Sequence, residues 1–315
     1  MSRYREISLD NVKTYPVSER RNRVRVEDFA SPFEPGENFR EFMEALPRIL
    51  VAQKFRRLVE KILGAVKLGR GVVVMAGAHV VKCGLGPILV DLMERGVISH
   101  IALNGGGSIH DFEIALWGQT SEDVAEGLKD GSFGMARETG RLINETICNA
   151  VQDGLGYGEA LGRRLEELKA PNDRASLLTS GYRLNIPVTV HAALGADIIH
   201  QHPSASGSAI GEASHRDFRI FASSVSKIGD GGVVLNIGSA VILPEVFLKA
   251  LTVVRNLGYS VKDFTSANFD MVVHYRPRVN VLERPTQLGG EGIQVVGHHE
   301  IMIPLLAAAI KLGLS

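Results

Sequence analysis

Of the ten histidines in this 315-residue chain, seven stand at or just beyond the ends of short apolar runs that read as strands: His79, His110, His191, His200, His202, His298 and His299. Neutral imidazole binds metals and titrates near neutrality, so such a gathering points to acid–base or metal chemistry. The order His200-Gln201-His202 would put two imidazoles on one face of a strand, as a chelate requires. Asp197, Asp111, Glu212 and Glu300 could add carboxylates. A divalent metal such as zinc would draw on His79, His110, His200, His202 and His298, although no H-x-x-x-H or H-E-x-x-H helix is present. Any one histidine of this kind more often bonds the backbone of a turn.

Glycines crowd the same places. Gly77 follows the run Val72–Ala76, Gly105-Gly106-Gly107 follows Asn104, and Gly238-Ser239 follows Asn236-Ile237. Glycine lets a backbone approach a ligand closely, and a helix starting there presents free N–H groups to an anion. Ser108 reads as the N-cap of a helix through Trp117, with Asp111 at the capping-box position. The pattern is neither G-x-G-x-x-G nor a P-loop, so a tight strand-to-helix turn explains it equally well. Lys82 could meet a phosphate or form an imine, and more commonly such a lysine is solvated surface. Cys83 reads as a small buried residue. Arg276 and Arg278 with His274 could clamp a carboxylate or simply end a strand.

These residues need a scaffold that brings strand ends together. Strands are expected at Val72–Met75, Ile98–Leu103, Ile186–Val190, Gly232–Asn236, Met271–Tyr275 and Ile293–Val296, with amphipathic helices between them. Residues 204–214 are small and polar and read as a mobile loop or lid. Short apolar strands alternating with helices specify an α/β fold, Rossmann-like, with a mostly parallel sheet covered by helices on both faces. In such sheets ligands bind outside the carboxyl ends of the strands. Residues 1–38, broken by Pro16, Pro32, Pro35 and Gly36, form an N-terminal arm, and 39–315 a single domain.

Composition narrows the function classes. The 35 basic residues balance the 35 acidic ones, which leaves no field for nucleic acid or an anionic membrane. The two cysteines lie far apart without metal-type spacing, and the N-terminus lacks a signal-like apolar core, so a cytoplasmic location is expected.

Four segments, taken in order, resemble the deoxyhypusine synthase family: CGLGPILVDLMERGVISHIALNGGGSIHDFEIAL, IPVTVHAALGADII, GVVLNIGSAVILPEVFLKAL and VVGHHEIMIPLLAAAI. The similarity runs from about residue 30 to the C-terminus. It implies a Rossmann-like domain that binds NAD near subunit interfaces in a homotetramer. Carried across by position, the NAD contacts fall on Gly77, His79, Asn104, Gly105, Gly106, Gly238, Ser239, Gly297 and His298, with Ser108 and His110 beside them. The family's polyamine-binding aspartate falls on or near Asp197, and its catalytic histidine on Glu245.

The departures are as informative. The family's imine-forming lysine aligns with LERPTQLGGEG, which has none, and no lysine occurs between Lys262 and Lys311. The acidic contacts to the NAD ribose align with His110 and His298. The expectation is therefore a divergent enzyme that uses NAD on a small amine or alcohol without making deoxyhypusine. Asp197 would hold the substrate, and His200, His202 or Glu245 would act as base. The alternatives are the metal-dependent enzyme above and a non-catalytic binding protein.

Overall fold

Residues 3–314 are described in a computed structural model, in which the chain divides between Gln53 and Lys54 into two units. The first unit is mostly irregular, with single turns of 3-10 helix at Val17–Glu19 and Val26–Asp28. Its one complete helix, α1 (Phe39–Ala45), starts at a capping box: Asn38 accepts from Arg40 N and Glu41 N, and Glu41 accepts from Asn38 N. Phe33 packs edge-on to Phe42 at 5.8 Å.

The second unit carries the sheet. After α2 (Leu50–Lys67), which begins in the first unit, come β1 (Val72–Ala76), α3 (Ala78–Lys82), α4 (Gly86–Glu94), β2 (His100–Asn104) and α5 (Gly105–Trp117). Four helices follow without a strand: α6 (Val124–Asp130), α7 (Arg137–Asp153), α8 (Tyr157–Glu167) and α9 (Leu177–Leu184). The chain then returns through β3 (Val188–His191), α10 (Gly207–Val225), β4 (Val233–Ile237), α11 (Ile242–Asn256), β5 (Thr265–Asp270), the short α12 (Tyr275–Pro277), β6 (Glu291–Val296) and α13 (His299–Leu314).

All six strands are parallel, in the order β3-β2-β1-β4-β5-β6. The central register runs Ile101–Val74–Leu235–Ala267–Ile293. The order reverses between β1 and β4, the kind of position beyond whose carboxyl ends open sheets bind ligands. On one face of the sheet Phe221, Phe247 and Phe264 are fully buried around Val73, Met75 and Val234. Each such side chain contributes about 1.5–3 kcal/mol of burial.

Four local expectations give way to the structure. Residues 204–214 enter a long helix: Ser206 Oγ caps it on Ala209 N, and Ala209, Ile210 and Ala213 bury one face. Their small size lets α10 lie close against β3, where Ser214 Oγ donates to Val190 O. The fifth strand is Thr265–Asp270, and the more apolar Met271-Val272-Val273 is exposed. Its buried Asn268 pairs across the sheet: Asn236 Nδ2 donates to Asn268 Oδ1 (2.6 Å), and Asn268 Nδ2 donates to Gln294 Oε1 (3.1 Å), while Ser266 Oγ donates to Val281 O.

The other two differences concern caps and turns. Asn104, not Ser108, is the N-cap of α5, its side chain accepting from Gly107 N at 2.9 Å. Ser108 is buried inside the first turn and donates back to Gly105 O. Asp111 reaches out of its own helix to cap α9, accepting from Ser176 Oγ (2.6 Å), Leu177 N (2.7 Å) and Leu178 N (3.1 Å). His200-Gln201-His202 leaves strand geometry altogether, because Ile198–Gln201 is a 3-10 turn opened by Asp197.

Candidate functional site

A cavity of about 720 Å³ opens beyond the carboxyl ends of β2 and β3. Its walls are the end of α3 (Lys82), one side of α5 (Gly106 to Trp117), the turn 119–124, residues from Phe133 to Thr139, and Ala196–Ile198. Glu113, Glu122, Glu138 and Asp197 supply four carboxylates against the single cation of Lys82, so the space is acidic. Trp117 and Phe133 add apolar surface.

Asp197 is the best-buried carboxylate of the set, its side chain only 10% exposed. It accepts a hydrogen bond from Gly106 N, so it stands as the resident anion at the start of α5. Its Oδ2 is buried and has no hydrogen-bond partner among the described residues. Burial pushes the Asp197 carboxyl upward, with His200 and the Gly106 N–H pulling the other way. The close fit explains Gly105: a methyl group there would overlap the Asp197 carboxylate. Behind it lies Tyr157, fully buried, whose phenol is pushed upward by desolvation and then by the charge of Asp197.

Beside it, His200 Nδ1 accepts from Gly195 N (3.1 Å) and Asp197 N (3.3 Å). The ring proton is therefore on Nε2, 3.9 Å from Asp197 Oδ2 and likewise buried without a partner. His202 turns away; its Nε2 donates to Gly134 O at 2.8 Å and its ring lies against Gly140. His110 lines the cavity with Nδ1 2.6 Å from Thr120 Oγ. Desolvation, and secondarily the Lys82 ammonium, lowers its pKa to about 4.

The remaining expected residues lie elsewhere. Gly77, Gly238, Ser239, Gly297, His79 and His298 gather where β1, β4 and β6 end. Gly77 packs directly on the Gly238 carbonyl, and Gly238 (φ +64°) leaves room for His299, whose Nε2 would be 2.6 Å from a β-carbon there. His79 meets the His299 ring edge-on at 6.1 Å, while His298 is exposed near Glu300. Glu245, on α11, is tied to Lys249, to Arg276 (3.2 Å) and to Asn280 (2.8 Å), and it does not line the cavity. His191 is buried in a chain with Thr189, His100 and Ser224.

The histidines are thus dispersed. Among the described residues no three of His, Cys, Asp or Glu come together as metal ligands, so the five-histidine set does not form a centre. The Gly105 turn does not fit a nucleotide phosphate either. Its glycine is filled by Asp197, and the N–H groups of Gly106 and Gly107 are already bonded to Asp197 and Asn104. A second anion there would meet a carboxylate in place of free donors.

Sequence reasoning passed over Glu113, Thr120, Thr139 and Tyr157. Glu113 carried the only local signal, standing three residues after His110 on one helix face. The others come from distant segments. The segment aligned with the imine-forming lysine, 282–292, crosses the opposite end of the sheet: Ser266 Oγ donates to Val281 O, and Asp263 N donates to Leu288 O.

Comparison with known proteins reaches only the architecture. No protein-family model and no curated protein sequence matches the chain. Among solved structures, unliganded AgrE is similar with a TM-score of 0.55 and 16% identity, over 89% of this chain and 34% of AgrE. A protein from Methanococcus maripaludis S2, provisionally assigned to the LOR/SDH type, gives 0.50 and 18%, over 84% of this chain and 70% of its own. A provisionally assigned deoxyhypusine synthase from Entamoeba histolytica gives 0.50 and 14%, over 89% and 95%. The fold is the deoxyhypusine synthase-like one. This chain spans about a third of AgrE. At these identities the likeness is one of fold, and no helix among the described residues is long and apolar enough to cross a membrane.

Proposed function

We propose that the α/β unit is an enzyme domain that takes a small amine cation into the acidic cavity, with Asp197 as its anchor. The observation that carries this reading is the buried Asp197 carboxylate in the lining of a cavity with four carboxylates and one lysine, its Oδ2 unpartnered among the described residues. A buried carboxylate without a cation is costly, and an ammonium group arriving there would supply both charge and hydrogen bond. His200 is a positioning residue: its two backbone contacts leave the ring proton on Nε2, 3.9 Å from the same oxygen. Lys82 at the rim would keep a second ammonium away from α3. Deoxyhypusine formation forms no part of the reading, since 282–292 has no lysine and lies at the other end of the sheet.

NAD, expected from the resemblance, would be held beyond the carboxyl ends of β1 and β4. The reversal of strand order there supports that place. Bound there it would accept hydride from an amine or alcohol carbon. The resemblance also implies four copies, and the exposed apolar rim of Met271, Val272, Val273, Val296 and Ile301 supports a contact between subunits.

Titration calorimetry with 1,4-diaminobutane tests the first reading. Saturable binding that disappears in Asp197→Asn supports it, and heat unaffected by that change would defeat it. A thermal-shift series with NAD tests the second, with no rise in melting temperature at large excess as the negative result.

A further inference from the structure

One wall of the cavity holds a chain of four side chains drawn from three segments. Thr139 Oγ, from α7, donates to Glu113 Oε1 at 2.9 Å, and Thr120 Oγ donates to Glu113 Oε2. His110 Nδ1 lies 2.6 Å from the same Thr120 oxygen. A threonine hydroxyl has one proton to give. Thr120 gives it to the carboxylate, so the short contact to His110 must be supplied by Nδ1–H. The tautomer follows: Nε2 carries the lone pair. That atom has no hydrogen bond among the described residues and is not among the sealed, unpartnered atoms, and the ring lines the cavity. It is the ring atom left to a ligand.

We infer that His110 is a specificity-determining acceptor, its tautomer fixed through Thr120 by Glu113, which selects amines that still carry N–H bonds. The inference rests on the amine reading of this cavity. The Asp197 carboxylate and His110 Nε2 then both line the same space, one acceptor charged and one neutral. A primary ammonium has three N–H groups and can serve both; a quaternary ammonium has none. The imidazole is held neutral by desolvation and by Lys82 on α3, against Glu113 on its own helix and Glu122, Glu138 and Asp197 across the cavity. It therefore accepts a hydrogen bond without taking the proton, and the bound amine keeps its charge for Asp197.

The test pairs nitrogen-15 NMR of the histidine rings with calorimetry, using n-butylamine and its N-trimethylated analogue as probes. In the free protein at neutral pH, His110 is expected as the Nδ1–H tautomer, with Thr120→Ser retaining it and Thr120→Val losing it. Butylamine is expected to bind about tenfold more tightly than the trimethylated analogue and to move the His110 Nε2 resonance. His110→Phe should reduce that preference to what the Asp197 contact alone gives. An Nε2–H tautomer, equal binding of the two probes, or a preference undiminished in His110→Phe overturns the inference. If neither probe binds, the amine reading itself fails, and the tautomer measurement on the free protein separates that result from a wrong account of the ring.

Discussion

Asp197 Oδ2 and His200 Nε2 face each other at 3.9 Å, both buried and neither hydrogen-bonded among the described residues. The ring proton sits on Nε2, because Nδ1 is occupied by two backbone N–H groups. The gap is too long for a hydrogen bond, so each group keeps unspent capacity beside the cavity that Asp197 lines.

That capacity makes Asp197→Asn informative. The substitution keeps an oxygen to accept from Gly106 N and removes the charge. Losing a charge-assisted contact costs about 1.5–3 kcal/mol, so diamine affinity should fall at least about tenfold while the melting temperature changes little. Calorimetry and a thermal melt on the same sample check both parts.

The pH dependence of binding has a definite sign. Burial raises the Asp197 carboxyl above its ordinary range, so in the free protein it gains a proton earlier on acidification than an exposed aspartate. An ammonium group favours the ionised form. Diamine binding should therefore weaken as pH falls through that raised range, with release of a proton on binding there. Calorimetry in two buffers of different ionisation heat measures that proton.

Gly105→Ala tests the same carboxylate from below. A methyl group would overlap the Asp197 carboxylate, which is short and held by Gly106 N, so the carboxylate must move. Stability should drop by about 1–3 kcal/mol, the usual cost of overpacking. Diamine binding should suffer more than stability does, and unchanged affinity would show that Asp197 is not the anchor.

The sheet was legible because Val72–Ala76, His100–Asn104 and Val233–Ile237 are apolar runs of strand length, buried along nearly their whole length. The fifth strand was not, since Ser266, Asn268 and Asp270 look solvent-facing until the partners of Asn268 on β4 and β6 and of Ser266 at Val281 are known. At the site, Asp197 and His110 were visible as residue types at strand ends. What they do was hidden, because it is set by Thr120, Thr139 and the Gly105 α-carbon, which sequence distance separates. The glycine turn shows the limit most directly: the same Gly105 that could admit a phosphate instead admits a carboxylate from 92 residues along the chain.

The buried histidines of the sheet give the last prediction. Desolvation lowers His100 and His191 to about 3, against an ordinary 6.5. A histidine whose folded pKa is depressed contributes stability that is full above about 6.5 and is lost as pH falls toward 3, because the unfolded chain binds the proton first. Asp111 and Asp217, raised to about 6 and about 7, act in the opposite sense: their burial favours the folded state below 3.8 and weighs against it as pH rises through 6 and 7. The two effects overlap between pH 4 and 6.5, so the native chain alone cannot separate them. His100→Gln removes one titration while leaving an amide to meet Ser224 and Thr189. Its stability at neutral pH should fall by about 1–3 kcal/mol from imperfect hydrogen bonding. Its decline between pH 6.5 and 4 should be shallower than the native one in urea melts at each pH. Parallel curves would show that His100 is not held neutral by its burial.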